Sequence, residues 1–260
     1  MFFWQNDQNQ MEVYPNRAMM HGLNDIRGYD PVYLAHYGKF FNAISRYGDD
    51  KSPGGFLKFE ELYNPNILSA LNVRYLLTYS RMNIPGWTLA RSFHTGLQVY
   101  ENPAPFGNAF LASSAPIPIE DETKVLRALA NPDMPLRRMA ITYDINPWQR
   151  SPEPGTLDDE SVEILEWTPN RRVCKARVNG SDTLVLSEVW YPGWRVYVNG
   201  TKTTHHPVYH AFMGIFLPPG EHEIVCVFRP FSIMTGLCIS FATLLALILI
   251  PLIAKARKHG

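Results

Sequence analysis

Asp25 and Asp30 are the nearest thing to a carboxylate pair in an apparently constrained stretch of this chain. Paired carboxylates hold a metal or divide acid and base work between them. A second reading competes. Asp30 precedes Pro31, and an Asp at the N-cap with Pro at the first helical position is a common helix start. In that reading Asp25 sits in the preceding turn. His205, His206 and His210 form another cluster. Imidazoles ligate zinc, but no carboxylate or cysteine lies close in sequence to complete a set. Adjacent residues on a strand point to opposite faces, so the expectation is a surface hairpin rim and no metal. Cys174 and Cys226 each fall in a strand-like segment, in phase with apolar neighbours. They read as buried thiols or, if their Cα atoms come within about 7 Å, as a disulfide. Cys238 lies in an apolar run. Asn179-Gly180-Ser181 and Asn199-Gly200-Thr201 fit the glycosylation acceptor pattern but read better as hairpin turns. There is no Gly-rich phosphate loop, G-x-S-x-G elbow or H-E-x-x-H helix, and no cofactor is expected.

The elements that must position these groups are legible in the pattern. Val32, Tyr33, Tyr37, Phe40, Phe41 and Ile44 recur at helical spacing and predict an amphipathic helix over 31–46. Asn64-Pro65 opens a short helix over 67–71. Residues 73–78, 89–93 and 97–100 read as strands, with Thr95-Gly96 turning between the last two, and Phe110-Leu111 as the end of that sheet. Glu120 to Ala130 is helical in spacing, and 139–143 strand-like. From 156 the texture is all β. Segments 161–167, 171–178, 182–189, 194–198, 212–217 and 222–229 are short and rich in β-branched and aromatic residues. Thr168-Pro169-Asn170, Asn179-Gly180, Asn199-Gly200 and Pro218-Pro219-Gly220 punctuate them. The fold class expected is α+β: a mixed α/β region over 1–115, a connector over 116–155, a small antiparallel β-sandwich over 156–230, a membrane helix over 231–254, and a basic tail over 255–260.

That helix is the clearest single feature. Phe231 to Ala254 carries no charge, and at about 1.5 Å per residue it spans a hydrocarbon core of about 30 Å. Gly236 and Pro251 are tolerable there, because a helix in lipid satisfies its own backbone. Thr235, Ser240 and Thr243 can bond back to it. Lys255, Arg257 and Lys258 follow directly, and positive charge beside a span stays cytoplasmic. The bulk of the chain is therefore expected outside. The start, Met1-Phe2-Phe3-Trp4 followed by polar residues, has neither a basic n-region nor an apolar stretch long enough for a signal peptide. Two explanations are left. Either upstream spans of a longer protein export the domain, or the topology is reversed and the domain is a tail-anchored cytosolic one.

Composition bounds the remainder. The 260 residues have no net formal charge, and 46% of them are hydrophobic, which excludes general disorder. A neutral chain lacks the basic face of a nucleic-acid binder. Three cysteines are too few for a disulfide scaffold.

The stretch Ser187-Glu188-Val189-Trp190-Tyr191-Pro192-Gly193-Trp194-Arg195-Val196-Tyr197-Val198-Asn199-Gly200 resembles a signature of the YfhO family of bacterial membrane proteins. There a strand ends in a Tyr-Pro-Gly-Trp corner, followed by a strand and a tight hairpin. Phe216 to Ile224 resembles the family's next hairpin, and Arg229-Pro230-Phe231 leads into a last span as it does there. Arg27 to Pro31, Leu71 to Leu77 and Tyr100 to Pro103 are similar to upstream landmarks in the same order. Pro192 fixes φ, Gly193 permits a tight turn and Trp194 offers a large face to bury, so Tyr191, Pro192, Gly193 and Trp194 are read as a structural corner.

The resemblance implies a polytopic protein whose fold is similar to that of lipid-linked-sugar glycosyltransferases and which decorates cell-envelope polymers from a sugar on a polyprenyl phosphate. The essential carboxylate of such enzymes lies in an early extracytoplasmic loop that nothing here matches, so no residue inherits a catalytic role. The chain matches the C-terminal extracytoplasmic part and last helix, an accessory part that docks on an upstream transmembrane core, shapes the substrate cleft or presents an envelope polymer. Its location would be the bacterial cell membrane, with one C-terminal span. Asp25, Arg27, Tyr29 and Asp30 become candidate contacts to acceptor or sugar. Tyr29, Tyr33, Tyr37, Trp87, Trp148, Trp167 and Trp190 are candidates for a sugar-stacking platform. The alternative is a stand-alone, single-pass carbohydrate- or protein-binding module without catalysis.

Overall fold

The computed structural model describes residues 2–3, 17–26, 34–46, 61–112, 117–119, 121–143, 160–180 and 182–256. In chain order the elements begin with β1 (Phe2–Phe3), a 3-10 turn (Arg17–His21), α1 (Ala35–Ile44), β2 (Ser45–Arg46), β3 (Glu61–Leu62) and α2 (Asn66–Ala70). Next come β4 (Tyr75–Thr78), β5 (Thr88–Ser92), β6 (Gln98–Glu101), β7 (Ala109–Ala112), β8 (Ile117–Pro118), α3 (Glu122–Ala130) and β9 (Ile141–Thr142). The C-terminal half runs β10 (Ser161–Thr168), β11 (Arg171–Val178), β12 (Asp182–Val189), β13 (Trp194–Val198), β14 (Thr201–Thr203), β15 (His206–Val208), β16 (Phe212–Leu217), β17 (Gly220–Phe228) and α4 (Phe231–Ala256). The α+β class with a C-terminal apolar helix is what the pattern predicted.

Two antiparallel sheets form the sandwich. The outer sheet has the order β10-β11-β17-β13-β14, and the inner sheet β15-β16-β12-β7. Between them lie Leu184, Leu186, Met213, Ile215 and Leu217 from the inner sheet and Cys174, Ala176, Val178, Val196, Ile224 and Cys226 from the outer one. The period-2 alternation of a strand fixes those faces. The inner sheet's other face is also covered. Phe110, Ala112, Val185, Val208 and Phe212 pack against Phe40, Phe41 and Ile44 of α1 and Val125 and Leu129 of α3. The molecule is thus layered as helices, inner sheet and outer sheet, with a small sheet of order β1-β4-β6-β5 contributing Leu76 and Tyr100 to the helical side. A strand buried on both faces reads as a continuous apolar run, and β7, Ala-Phe-Leu-Ala, is one.

Three expectations are corrected. Phe110-Leu111 does not end the N-terminal sheet. It lies in β7, whose register with β12 pairs Phe110 with Val185 and Leu111 with Leu184. Asn179-Gly180 is not a hairpin turn, because β11 and β12 belong to different sheets, and the same holds for Pro218-Pro219-Gly220 between β16 and β17. These turn residues make arches across the sandwich. Local turn chemistry specifies a reversal of the chain, not which sheet the next strand joins. Finally, α1 has Leu34 as its N-cap, with no side-chain cap, whereas Asp30 and Pro31 lie outside the described residues. Asp121 does cap α3, its Oδ1 accepting from the Thr123 N–H at 2.8 Å.

Helix α4 is the one helix among the described residues that is long and apolar enough to cross a membrane. Its described large side chains, from Phe231 to Ile253, are exposed. Thr235 and Thr243 donate to the carbonyls of Phe231 and Ile239 at 3.0 and 2.9 Å, which hides their hydroxyls along the helix as expected.

Candidate functional site at the strand-to-helix junction

Strand β12 ends at Val189, and the chain then turns through Trp190-Tyr191-Pro192-Gly193 into β13. The turn closes with the Trp194 N–H donating to the Tyr191 carbonyl at 3.1 Å. Gly193 is required by close approach. A Cβ there would stand 2.8 Å from Phe228 Cε2 and 3.0 Å from both Pro230 Cβ and Tyr191 Cδ1. Its carbonyl accepts from the Arg229 N–H at 2.8 Å. The ring of Phe228 lies 5.1 Å from Trp194 and 6.0 Å from Tyr191. The corner therefore grips the last residues of β17 just before Phe231, where α4 begins.

Beside this junction is a cleft of about 440 Å³ lined by Leu34, Pro169, Asn170, Glu188, Tyr191, Trp194 and Phe228, among others. Three aromatic side chains and one carboxylate make it apolar-walled with a polar edge, the usual composition of a small-ligand site. Glu188 is held from behind. Arg172 Nε and Nη2 donate to its Oε2 at 3.1 and 2.5 Å, while the guanidinium sits 4.6 Å from the Trp167 ring centroid and 5.2 Å from that of Trp194. Arg172 is 7% exposed. It belongs to the outer sheet and Glu188 to the inner one, so the pair also ties the two sheets together. Burial between two indole faces suits a planar guanidinium better than an ammonium.

Tyr37 of α1 approaches the same region. It is stacked with Phe40 and edge-on to Phe41, and its hydroxyl donates to the Ile26 carbonyl at 3.0 Å. Burial, followed by the charges of Asp25 and Glu188, pushes its phenol well above the usual range. Asp25 thus stands close enough to act on a group that Glu188 also acts on. Arg27, Tyr29 and Asp30 lie outside the described residues.

The histidines are not a surface rim. His210 is fully buried, His206 is 9% exposed, and His205 is half-buried. They fold inward because β15 and β16 form the inner sheet's edge beneath α1. His205 Nε2 bonds the Trp194 carbonyl at 3.0 Å. His36 joins them: its ring centroid is 6.0 Å from that of Trp190 and 6.4 Å from that of His210. Neither ring nitrogen of His210 meets a hydrogen-bond partner among the described residues. Burial lowers the pKa of all three, His210 to about 4. Glu122 Oε1 lies 3.6 Å from His210 Nε2, opposing that shift, while Lys39 and His36 add to it. The turn Tyr209-His210 has φ of 47° and 67°, and non-glycine residues there carry strain. Tyr209 is anchored by its hydroxyl donating to the Leu136 carbonyl at 2.5 Å. No group of three or more metal-ligating side chains occurs among the described residues.

Cys174 and Cys226 are free, buried thiols. They sit on adjacent strands but out of register, Cys174 opposite Ile224 and Cys226 opposite Arg172. Burial pushes both up to about 12, so neither is a nucleophile at neutral pH. Of the aromatic residues considered for a sugar platform, Tyr37 and Trp87 pack on the helical-side core, Trp167 lies against Arg172 and Trp190 among the histidines. Tyr29, Tyr33 and Trp148 lie outside the described residues. The aromatic wall of the cleft is instead Tyr191, Trp194 and Phe228.

Residues 155–240 match the family model described as bacterial membrane protein YfhO. Over that stretch the chain is similar to the YfhO family. The match takes in the sandwich from β10, the corner, and the first part of α4, and so includes every cleft-lining residue named above except Leu34. It does not reach the upstream landmarks at 27–31, 71–77 and 100–103. No curated protein and no solved structure matches the chain.

Proposed function

We propose that this chain is the extracytoplasmic, substrate-positioning part of a polytopic membrane glycosyltransferase that transfers a lipid-linked sugar to a cell-envelope polymer. The observation that carries the reading is the junction itself. An aromatic-walled cleft with one carboxylate at its edge is built on the residues that lead into an apolar helix. A ligand bound there would sit a few residues from the bilayer, where a polyprenyl-linked substrate presents its sugar. Ring faces of Tyr191 and Trp194 suit the C–H face of a pyranose, and Glu188 and Asn170 suit its hydroxyls. In this reading catalysis belongs to an upstream transmembrane core, and the basic residues Lys255, Arg257 and Lys258 of the sequence support an outer location for the sandwich.

The test uses cells carrying the complete membrane protein. Tyr191→Ala and Asn170→Ala should lower sugar incorporation into envelope polymers several-fold at unchanged protein abundance in the membrane. Incorporation at wild-type level in both variants would remove the cleft from the reaction. Labelling of a cysteine placed at the exposed Thr201 by a membrane-impermeant maleimide in intact cells checks orientation, and protection there would overturn it.

A further inference from the structure

At the other end of the sandwich from the junction, Asp182 opens β12 with no solvent exposure. Neither of its carboxylate oxygens has a hydrogen-bond donor among the described residues, and the same is true of Glu160 Oε2. The group facing Asp182 is the Glu160 carboxyl, within hydrogen-bonding reach. Among the described residues Glu160 Oε1 receives a long bond, 3.4 Å, from the Asn179 N–H. Buried polar atoms without partners are rare in folded proteins, and each needs an ion, a water or a proton to account for it. Two carboxylates cannot both stay ionised in contact unless something positive lies between them.

We infer that Glu160 and Asp182 form a binding site for a hard divalent cation of the calcium type. Three buried carboxylate oxygens with no donor among the described residues lie there on two carboxyls in contact, and oxygen-only coordination by carboxylates, with water completing the shell, is the chemistry of Ca²⁺. The two residues belong to different layers. Glu160 immediately precedes β10 of the outer sheet, and Asp182 begins β12 of the inner sheet, after the Asn179-Gly180 arch. A bound cation would clip the open end of the sandwich, where no backbone ladder joins the sheets.

Without the cation, the pair is held by one shared proton. Burial and the neighbouring Glu160 raise Asp182, and two carboxyls in contact share a proton when nothing positive lies between them. Binding is then an exchange. The cation enters, both carboxylates coordinate it, and one proton leaves to solvent. That release separates a specific site from a diffuse effect of salt.

The experiment uses the full chain in detergent micelles at pH 7, stripped with a chelator, and CaCl₂ as the probe. Isothermal titration in two buffers of different ionisation enthalpy counts protons released, and thermal unfolding is followed in parallel. Expected are a submillimolar to millimolar Kd, release of about one proton per ion bound, and a rise in Tm. Asp182→Asn keeps the shape of the neutral acid and should still fold, yet weaken binding at least about tenfold; Glu160→Gln should do the same. The site is refuted if wild type shows neither binding heat nor a Tm shift up to about 10 mM CaCl₂, or if both variants respond as wild type does. In either case the shared proton alone accounts for the pair.

Discussion

Strand β12 carries a carboxylate near each end, and the two ends solve the same problem in opposite ways. Near Val189, Glu188 meets the guanidinium of Arg172 from the facing sheet, and two indole rings shield the pair. At the start of the strand, Asp182 meets another carboxyl, Glu160, and no donor among the described residues comes to it. Opposite charges bridge the sheets where the chain leaves for α4. Like charges bridge them where the sandwich faces away from that junction. The first arrangement needs nothing from solution, while the second is incomplete without a proton or a cation. The bridge at the helix end is therefore complete in itself, and the one at the far end is not.

The strongest way to break this contrast is Arg172→Ala. It leaves Glu188 partly buried without its cation and removes the filler between Trp167 and Trp194. The loss should be about 3 kcal/mol, at the low end for a broken buried pair because Glu188 retains some solvent contact. Urea unfolding of the detergent-solubilised chain, followed by tryptophan emission, measures it. Replacing both partners, Arg172→Met with Glu188→Leu, should recover most of that loss, since an apolar pair has no charge to strand. If the double variant is as unstable as the single one, the cation is holding the corner by more than the pairing described.

Arg172 and Asp182 each leave a mark in the sequence that does not name a partner. Arg172 is in phase with Cys174, Ala176 and Val178, and Asp182 is in phase with Leu184 and Leu186. A charge at the end of an otherwise apolar face of a strand signals a buried partner, but not which one. Arg172 and Glu188 lie on different sheets, and nothing local links them. The six long sandwich strands were legible because alternation and turn residues are local properties. β7 was misassigned because its partner β12 lies some 70 residues later, beyond the reach of any local pattern. The histidines were misread for the same reason. Period 2 describes one strand, whereas α1 covering the inner sheet buries both the edge strand and its turn.

Those histidines set the second test, because they give the junction end a pH response opposite in sign to that of the far end. His36, His205 and His210 have pKa values lowered by burial. Below about 6.5 the unfolded chain takes up protons that the folded one refuses, so stability contributed by the neutral rings is full above that pH and is lost as pH falls toward 4. Asp182 runs the other way. Its folded pKa is raised to about 8, so its contribution is full below about 3.9 and is lost as pH rises toward 8. For His210, fully buried, the loss between pH 7 and 5 should be on the order of 1–2 kcal/mol. His210→Asn should flatten the acid limb of stability against pH and leave the alkaline limb alone, whereas Asp182→Asn, measured in chelator, should do the reverse. An unchanged acid limb in the histidine variant would mean that the α1–β16 contact does not depend on a neutral ring.

The smallest effect belongs to the far end's turn chemistry, and it tests whether that end has fixed structure of its own apart from the carboxyl pair. Asn199 and Gly200 have φ of 50° and 76°, the left-handed pair that a two-residue hairpin between β13 and β14 demands. Asn199 does more than tolerate this. Its Oδ1 accepts from the Glu223 N–H at 2.8 Å, and its own N–H donates to the Glu223 carbonyl at 2.8 Å. His222 Nε2 lies 2.8 Å from the Pro218 carbonyl and must donate to it. Nδ1 is therefore the acceptor and takes the Asn199 amide at 3.3 Å. Asn199→Gly keeps the backbone conformation and the backbone bond but loses both side-chain bonds, and should cost about 1 kcal/mol. Asn199→Ala loses the same bonds and adds about 1 kcal/mol more for a Cβ in the left-handed region. The difference between the two variants isolates the conformational part from the hydrogen-bonded part. Equal losses would show that the hairpin relaxes out of the left-handed geometry, and the far end would then be soft in its backbone as well as in its charges.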